Sequence, residues 1–251
     1  MELMIALAVS GVILTAGITA LSGRQSTTEF NQSIYDLQSK FQSYISQVAN
    51  KAIPGYQQYT CSAGSSGRPV LTANTSGQVS NCIYLGEAIQ IVDGKELIYA
   101  YPIFGFRTYT DASGNVGFPY TIDQATPEPA VDSSGAPLLV DTYTMLNGLK
   151  TISTSTTTDT NDNDLLTIYA NLQSGNTSGN ETLATAYRQL TTAQNFNQAK
   201  SCVEDSSCSA STSLNNSAWQ ICVGDGAKTA KLTLRGTATG LTTNLIITAC
   251  T

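Results

Sequence analysis

Residues 2–23 read ELMIALAVSGVILTAGITALSG, a single carboxylate, Glu2, followed by 21 uncharged residues, Leu3–Gly23. At 1.5 Å rise per residue, a helix of this length spans a hydrocarbon core of about 30 Å. An acid costs about 2.5–3.5 kcal/mol near the centre of a membrane helix and less near an interface, so it normally has a partner there. A secretory signal peptide would begin with positive charge and end in a small-residue cleavage site. Here the leading charge is negative, and Arg24 follows without an A-x-A-like site. The segment therefore reads as retained. Its small residues, among them Ala6, Ala8, Ser10, Ala16 and Ala20, suit close helix contacts in lipid or in a dry bundle, and also an ordinary single-span anchor.

Downstream, Phe30, Ile34, Leu37, Phe41, Ile45, Val48 and Ala52 recur at spacings of 4, 3, 4, 4, 3 and 4, with Tyr44 beside the stripe. This is one face of an amphipathic helix. Pro54-Gly55 is a strong stop. One continuous helix is predicted over residues 1–53, roughly 80 Å long. Its first half can be buried all round, and its second half needs cover on one face only.

From Tyr56 the pattern changes. Cys82–Leu85, Ala88–Val92, Leu97–Phe104, Leu138–Tyr143, Leu165–Leu172, Trp219–Val223, Lys231–Leu234 and Asn244–Ala249 are short, rich in Ile, Val, Thr and Tyr, and bounded by turn residues. They read as strands, with Asp93-Gly94 a hairpin turn. Leu183, Tyr187 and Leu190 suggest a helix over Glu181–Lys200. Thr151–Asp164 and Pro127–Pro137 read as surface loops. The expected fold class is α+β: a long N-terminal helix (1–53) packed on an antiparallel β-rich head (54–251).

Composition narrows the function. The net charge is −6 and no run of Lys or Arg occurs, which argues against a dedicated nucleic-acid binder. Only 12% of residues are charged, so Ser, Thr, Asn, Gln and Gly must supply the polar surface. Cysteines stand at 61, 82, 202, 208, 222 and 250, all beyond the apolar helix. An even count in an exported region reads as three disulfides, with 15 possible connectivities. Cys61 with Cys82 is the expected local pair. Cys202, Cys208, Cys222 and Cys250 can pair in three ways.

The start Glu2-Leu3-Met4-Ile5, the apolar run Ala6–Gly23 and the amphipathic helix after it resemble the N-termini of type IV pilins and type II secretion pseudopilins. Residues 2–50 carry the likeness. More loosely, Cys82-Ile83-Tyr84-Leu85-Gly86-Glu87-Ala88-Ile89-Gln90 and Trp219-Gln220-Ile221-Cys222 resemble the β-rich heads of GspH-like pilins. The resemblance implies a lollipop-shaped major pilin of a fimbrium for adhesion, twitching motility or DNA uptake. It would be held in the cytoplasmic membrane by one span and then assembled into an extracellular filament. A minor pilin or pseudopilin shares that architecture.

The implied partners are further copies of the chain, the inner-membrane assembly machinery, and a prepilin peptidase that removes a basic leader before methylation of the new terminus. Leu3, Ile5, Leu7, Val9, Val12, Ile13, Leu14, Ile18 and Leu21 would form the filament core. Glu2 would meet a neighbour's terminal amine and set register, since an unpaired acid in a dry core is severely penalised. A locally unwound segment would fall at Gly11, Thr15, Gly17 and Thr19. Two features depart from the family pattern. Only Met1 precedes Glu2, where four residues are usual, so the chain reads as a mature form. No proline precedes Pro54.

Catalytic chemistry finds little support. Without histidine, no Ser-His-Asp or Cys-His site can form, and no GxSxG, P-loop or HExxH motif occurs. Glu204-Asp205 reads as a solvated acidic pair. No cofactor is expected and the chain reads as a non-enzyme. Asp159, Asn161 and Asn163 start like a calcium loop but lack the Gly at the sixth position and the Glu at the twelfth, so a plain polar loop is the better reading. Asn31, Asn74, Asn176, Asn180 and Asn215 match the N-glycosylation pattern, as chance allows in so Asn-, Ser- and Thr-rich a chain. Tyr56, Tyr59, Tyr99, Tyr101 and Tyr109 are expected to pack in the head rather than form an adhesive surface. The reading from another class is a monomeric, membrane-tethered binding module.

Overall fold

The computed structural model describes residues 2–51, 58–73, 81–92, 94–156, 165–170, 172, 183–187, 196–205, 208, 212–214, 217–237 and 240–250, with the backbone alone for 2–23, 156, 183, 184, 186, 187, 205, 212, 213 and 240. In chain order the elements begin with α1 (Glu2–Asn50), β1 (Tyr59–Ala63), β2 (Pro69–Ala73), β3 (Cys82–Ile91) and β4 (Leu97–Phe106). Short strands follow: β5 (Tyr109–Thr110), β6 (Val116–Gly117), β7 (Glu128–Pro129) and β8 (Asp141–Thr144). Then come β9 (Lys150–Thr156), β10 (Leu165–Tyr169), β11 (Leu183–Tyr187), α2 (Phe196–Asp205), β12 (Thr212–Ser213), β13 (Ala218–Gly224), β14 (Thr229–Thr237) and β15 (Gly240–Ile246).

The α+β expectation is corrected. Among the described residues, with the N-terminal helix counted over 24–50, strand makes up 45% and helix 24%, and the strands form several sheets, a β-rich fold unlike a typical pilin. One sheet runs β12-β11-β10-β3-β4-β7, with β8 also pairing β4; a second runs β15-β14-β13-β9; β1-β2 and β5-β6 are two-stranded. Polar stretches account for much of the difference. Lys150–Thr156, overlapping the start of the expected loop Thr151–Asp164, is β9 of the second sheet, with Thr151 and Thr154 buried. Within the expected helix Glu181–Lys200, the described residues form β11 over Leu183–Tyr187, antiparallel to β10, and helix α2 from Phe196. The last strand ends at Ile246, earlier than expected.

The helical stripe behaves as its period requires, with one exchange. Phe30, Ile34, Leu37, Phe41, Tyr44 and Val48 are buried, whereas Ile45 is only partly so. Tyr44 takes the inner position at the same helical face. The Phe41 ring lies 6.2 Å from Tyr44 and 5.7 Å from Trp219 of β13. α1 stops at Asn50, with Lys51 in the left-handed region at φ 52. The stripe shares one core with the inner faces of both large sheets: Ile89 and Ile91 of β3, Trp219 and Ile221 of β13, and Leu232 and Leu234 of β14. α2 lies against the other face of β3 and β4, where Ala199, Cys202 and Val203 pack with Leu85, Ala88 and Tyr101. Tyr101 is therefore core, as expected; Tyr59 and Tyr99 are partly buried, and Tyr56 lies outside the described residues.

The disulfides are Cys61–Cys82, as expected, with Cys202–Cys208 and Cys222–Cys250 resolving the rest. They pin β1 to β3, close the C-terminal end of α2, and tie β13 to the tail beyond β15. A disulfide stabilises chiefly by restricting the unfolded chain, typically by about 2–4 kcal/mol. Gly94, at φ 68, turns β3 into β4.

β3 carries a register shift between Tyr84 and Gly86. At Gly86 the neighbouring backbone of β10 comes so close that an added Cβ would fall on the carbonyl of Ile168. Gly86→Ala should therefore split β3 from β10 and sharply lower the denaturation midpoint of the head. Gly117→Ala, where nothing lies within 4 Å, should change stability by no more than about 0.5 kcal/mol. Equal midpoints for the two variants would contradict the β3–β10 pairing.

Candidate functional site

The contact between α1 and the head combines apolar and ionisable groups. In a regular strand, residues three apart face opposite sides. The bulge in β3 instead puts Tyr84 and Glu87 on the same face, and the Tyr84 hydroxyl donates to Glu87 Oε1 at 2.9 Å. Glu87 is 4% exposed, and its Oε2 has no hydrogen-bond partner among the described residues. Burial pushes its pKa up to about 8; the Tyr84 bond acts in the opposite sense, as does Lys40, while Asp141 adds to the rise. Burial also drives the Tyr84 and Tyr44 hydroxyls far above their ordinary value, reinforced by Glu87 at Tyr84 and by Asp141 and Glu87 at Tyr44.

Around this acid, α1 is tied to β8 and to the turn after it. Lys40 Nζ meets Asp141 Oδ2 at 2.6 Å and lies 5.0 Å from the Tyr44 ring centroid. The Tyr143 hydroxyl donates to Asp36 Oδ2 at 2.7 Å. Asn147 Nδ2 donates to Ser33 Oγ at 3.0 Å and to the Glu29 carbonyl at 3.3 Å. Lys228, in the β13–β14 turn, reaches Thr27 Oγ1 at 2.9 Å. These bonds fix the helix's rotation and height on the head. The opposite face of α1 shows Gln25, Thr28, Gln32, Tyr35, Ser39 and Ser46, all exposed and uncharged. A helix face of this kind can meet another helix without stranding a charge.

A second ionic group fastens α2 to the first sheet. Lys200 Nζ contacts Glu128 Oε1 and lies 2.7 Å from Glu204 Oε1. Arg68 Nε lies 3.9 Å from Glu128 Oε2, and its guanidinium donates to the Pro127 and Glu204 carbonyls at 3.0 and 3.1 Å. Burial, then the neighbouring Glu204, raises Glu128 to about 7 against the pull of Lys200. Burial acts on Glu204 in the same sense, but its bonds with Glu128 and Lys200 outweigh it and hold that carboxyl below the ordinary range. Glu204 is thus part of a buried clamp, which corrects its reading as a solvated loop acid. Lys200 bridges the two acids and Arg68 ties the group to the backbone, while Glu128 Oε2 has no hydrogen-bond partner among the described residues, so the group reads as a fastening with one unsatisfied oxygen.

Of the sequence-derived residues, Glu2, Leu3, Ile5, Leu7, Val9, Gly11, Val12, Ile13, Leu14, Thr15, Gly17, Ile18, Thr19 and Leu21 lie in α1, but their side chains are outside the described residues. So are Asp159, Asn161 and Asn163, and the glycosylation-pattern sites Asn74, Asn176, Asn180 and Asn215. Asn31 is half-buried on α1. Among the described residues, no helix is long and apolar enough to cross a membrane, and no group of three or more His, Cys, Asp or Glu could hold a metal ion. Glu87 was missed, although it is the sole charge in the apolar run Cys82–Ile91. Glu128 and Lys200, 72 residues apart, left no such signal. Comparisons with protein-family models, curated proteins and solved structures returned no match.

The raised Glu87 pKa has a sign. Between about 4.5 and about 8 the folded chain holds a proton that the unfolded chain releases, so stability falls as pH rises through that window. Glu128 contributes in the same direction up to about 7. Glu87→Gln should flatten much of this decline and raise the thermal midpoint at pH 8.5 relative to the parent. An unchanged pH profile would show that Glu87 is not buried as an acid.

Proposed function

We propose that this chain is a structural subunit of a type IV pilus, a major pilin that assembles through its N-terminal helix. The observation that supports this reading most is the continuity of α1. Residues 30–48 bury one face of the helix in the head, and the same helix includes the 21-residue uncharged stretch Leu3–Gly23. Before assembly, that stretch would hold the subunit in the cytoplasmic membrane. In a filament, the same helices would pack together and keep their apolar surface from water. The head departs from the usual pilin form, so the proposal rests on the helix.

Glu2 would pair with the terminal amine of a neighbouring subunit and set the axial register. A buried ion pair adds little net stability, whereas one lacking its partner is costly. Glu2 would then decide whether assembly occurs more than how tightly it holds. Electron microscopy of shed surface material, with mass spectrometry of its subunit, tests the reading. Filaments built of this chain are expected, and Glu2→Ala or Glu2→Gln should reduce them sharply while the chain stays in the membrane fraction. A parent chain found only as a membrane monomer would favour a tethered binding module. Normal filaments from both variants would refute the role of Glu2.

A further inference from the structure

The head has a defined base, and α1 sets it. Down the helix, Asp141, Tyr143 and Asn147 meet Lys40, Asp36 and Ser33 in turn, and the Asn147 amide also reaches the Glu29 carbonyl. β13 descends the same way, from Trp219 beside Phe41 to the turn after Gly224. In that turn Lys228 Nζ lies 2.9 Å from Thr27 Oγ1 and 3.3 Å from Ser26 Oγ. Neighbouring segments end at this level. Lys150 of β9 pairs with Gly224, the Thr151 backbone bonds those of Gly94 and Lys95, and Thr229 Oγ1 donates to the Thr248 carbonyl.

The helix also sets the height of that base. The uncharged stretch Leu3–Gly23 stops at Arg24, and α1 runs through both without a break. At 1.5 Å per residue the stretch is about 30 Å long, the depth of a hydrocarbon core. Beyond its end, Thr27 follows by about 6 Å and Glu29 by about 9 Å. A headgroup layer is roughly 5–8 Å thick on each side of the core. With the stretch across a bilayer, the Lys228 ammonium therefore lies among the headgroups, and the Asn147 turn lies at their outer edge.

The side chains at this level suit such surroundings. Arg24 is exposed and Lys228 half-buried, and both bring a cation to the depth of lipid phosphates. The described acids nearby are already occupied. Glu96 lies 3.7 Å from Lys150, Asp225 Oδ1 accepts the Ala227 and Lys228 N–H groups, and Glu29 Oε1 accepts from Gln25. Counted with Asp93, which lies outside the described residues, these acids balance Arg24, Lys95, Lys150 and Lys228. The attraction is therefore that of placed cations and not of a net field. Leu146 and Ile247, beside the same turns, are 43% and 54% accessible. A lipid interface asks of such side chains a common depth and no fitted shape.

We propose that the base of the head rests on the phospholipid bilayer that holds α1, with Arg24 and Lys228 on headgroup phosphates. The proposal rests on the membrane-held stage of the function proposed above and adds to the helix a second point of attachment. That contact fixes the height and orientation of the head before assembly, and it must break when the subunit leaves the membrane.

The full chain in phosphatidylcholine nanodiscs, with a photo-cross-linking amino acid at one position at a time, tests this by mass spectrometry of lipid adducts. Adducts are expected with the probe in place of Leu21, inside the apolar stretch, and of Ala227, exposed beside Lys228. None is expected in place of Phe118, past the far end of β4. Lys228→Gln should cut the yield at Ala227 several-fold and leave that at Leu21 unchanged. Adducts at Leu21 without any at Ala227, or cross-links from Ala227 to protein alone, would overturn the docking and leave the membrane-held reading standing. No adducts at Leu21 would overturn that reading and the docking with it. Equal yields at Ala227 with and without Lys228→Gln would overturn the part given to Lys228.

Discussion

Burial of the Phe30–Val48 stripe is the constraint on which the rest depends. Six side chains on one helical face fill the space that the inner faces of two sheets leave between them. Without α1, the Trp219 ring and the inner faces of β3, β13 and β14 would meet water. Large apolar side chains are worth about 1.5–3 kcal/mol each on burial, and net domain stability is only about 5–15 kcal/mol. The docked half of α1 is therefore part of the head's own core. The helix is also the sole element that continues into the uncharged N-terminal stretch, so any load on that stretch is passed to the core.

The same contact explains an otherwise costly acid. Glu87 lies on the α1 face because the bulge beside Gly86 turns it there, and the protein meets it with Tyr84 and the nearby Lys40. Burial favours the protonated carboxyl, and the opposing pull of Tyr84 and Lys40 does not overcome it. Lys40–Asp141 and Tyr143–Asp36 lie towards the rim, where partial exposure reduces their energetic weight and leaves them mainly to fix the helix's rotation.

Much of this was legible in the sequence, for physical reasons. The stripe in α1 is sustained over several turns, and its period has one solution. β3 and β4 are apolar runs joined by Asp93-Gly94. Cys61 and Cys82 are near in sequence, and their loop closes. The head's class was not legible, because the pilin likeness lies in residues 2–50 and places no constraint on how many sheets follow. β9 was hidden because its Thr and Ser side chains look like loop residues until Thr151 and Thr154 find a buried face. β11 was hidden because Leu183 and Tyr187 are four apart, a spacing that a strand tolerates and a helix prefers. In the candidate site, Glu87 was missed, although it stands as a lone acid in an apolar run. Lys200 and Glu128 meet only through the fold.

If α1 is both core and anchor, its docked half must open only when the head unfolds. Amide hydrogen exchange on the full chain in detergent measures this directly. The amides of Phe30–Val48 should exchange as slowly as those of Ile221–Val223 and Ile89, all at the rate of global unfolding. Fast exchange across Phe30–Val48 while β3 and β13 stay protected would contradict the account, because the helix would then be an appendage and not the pillar of the head.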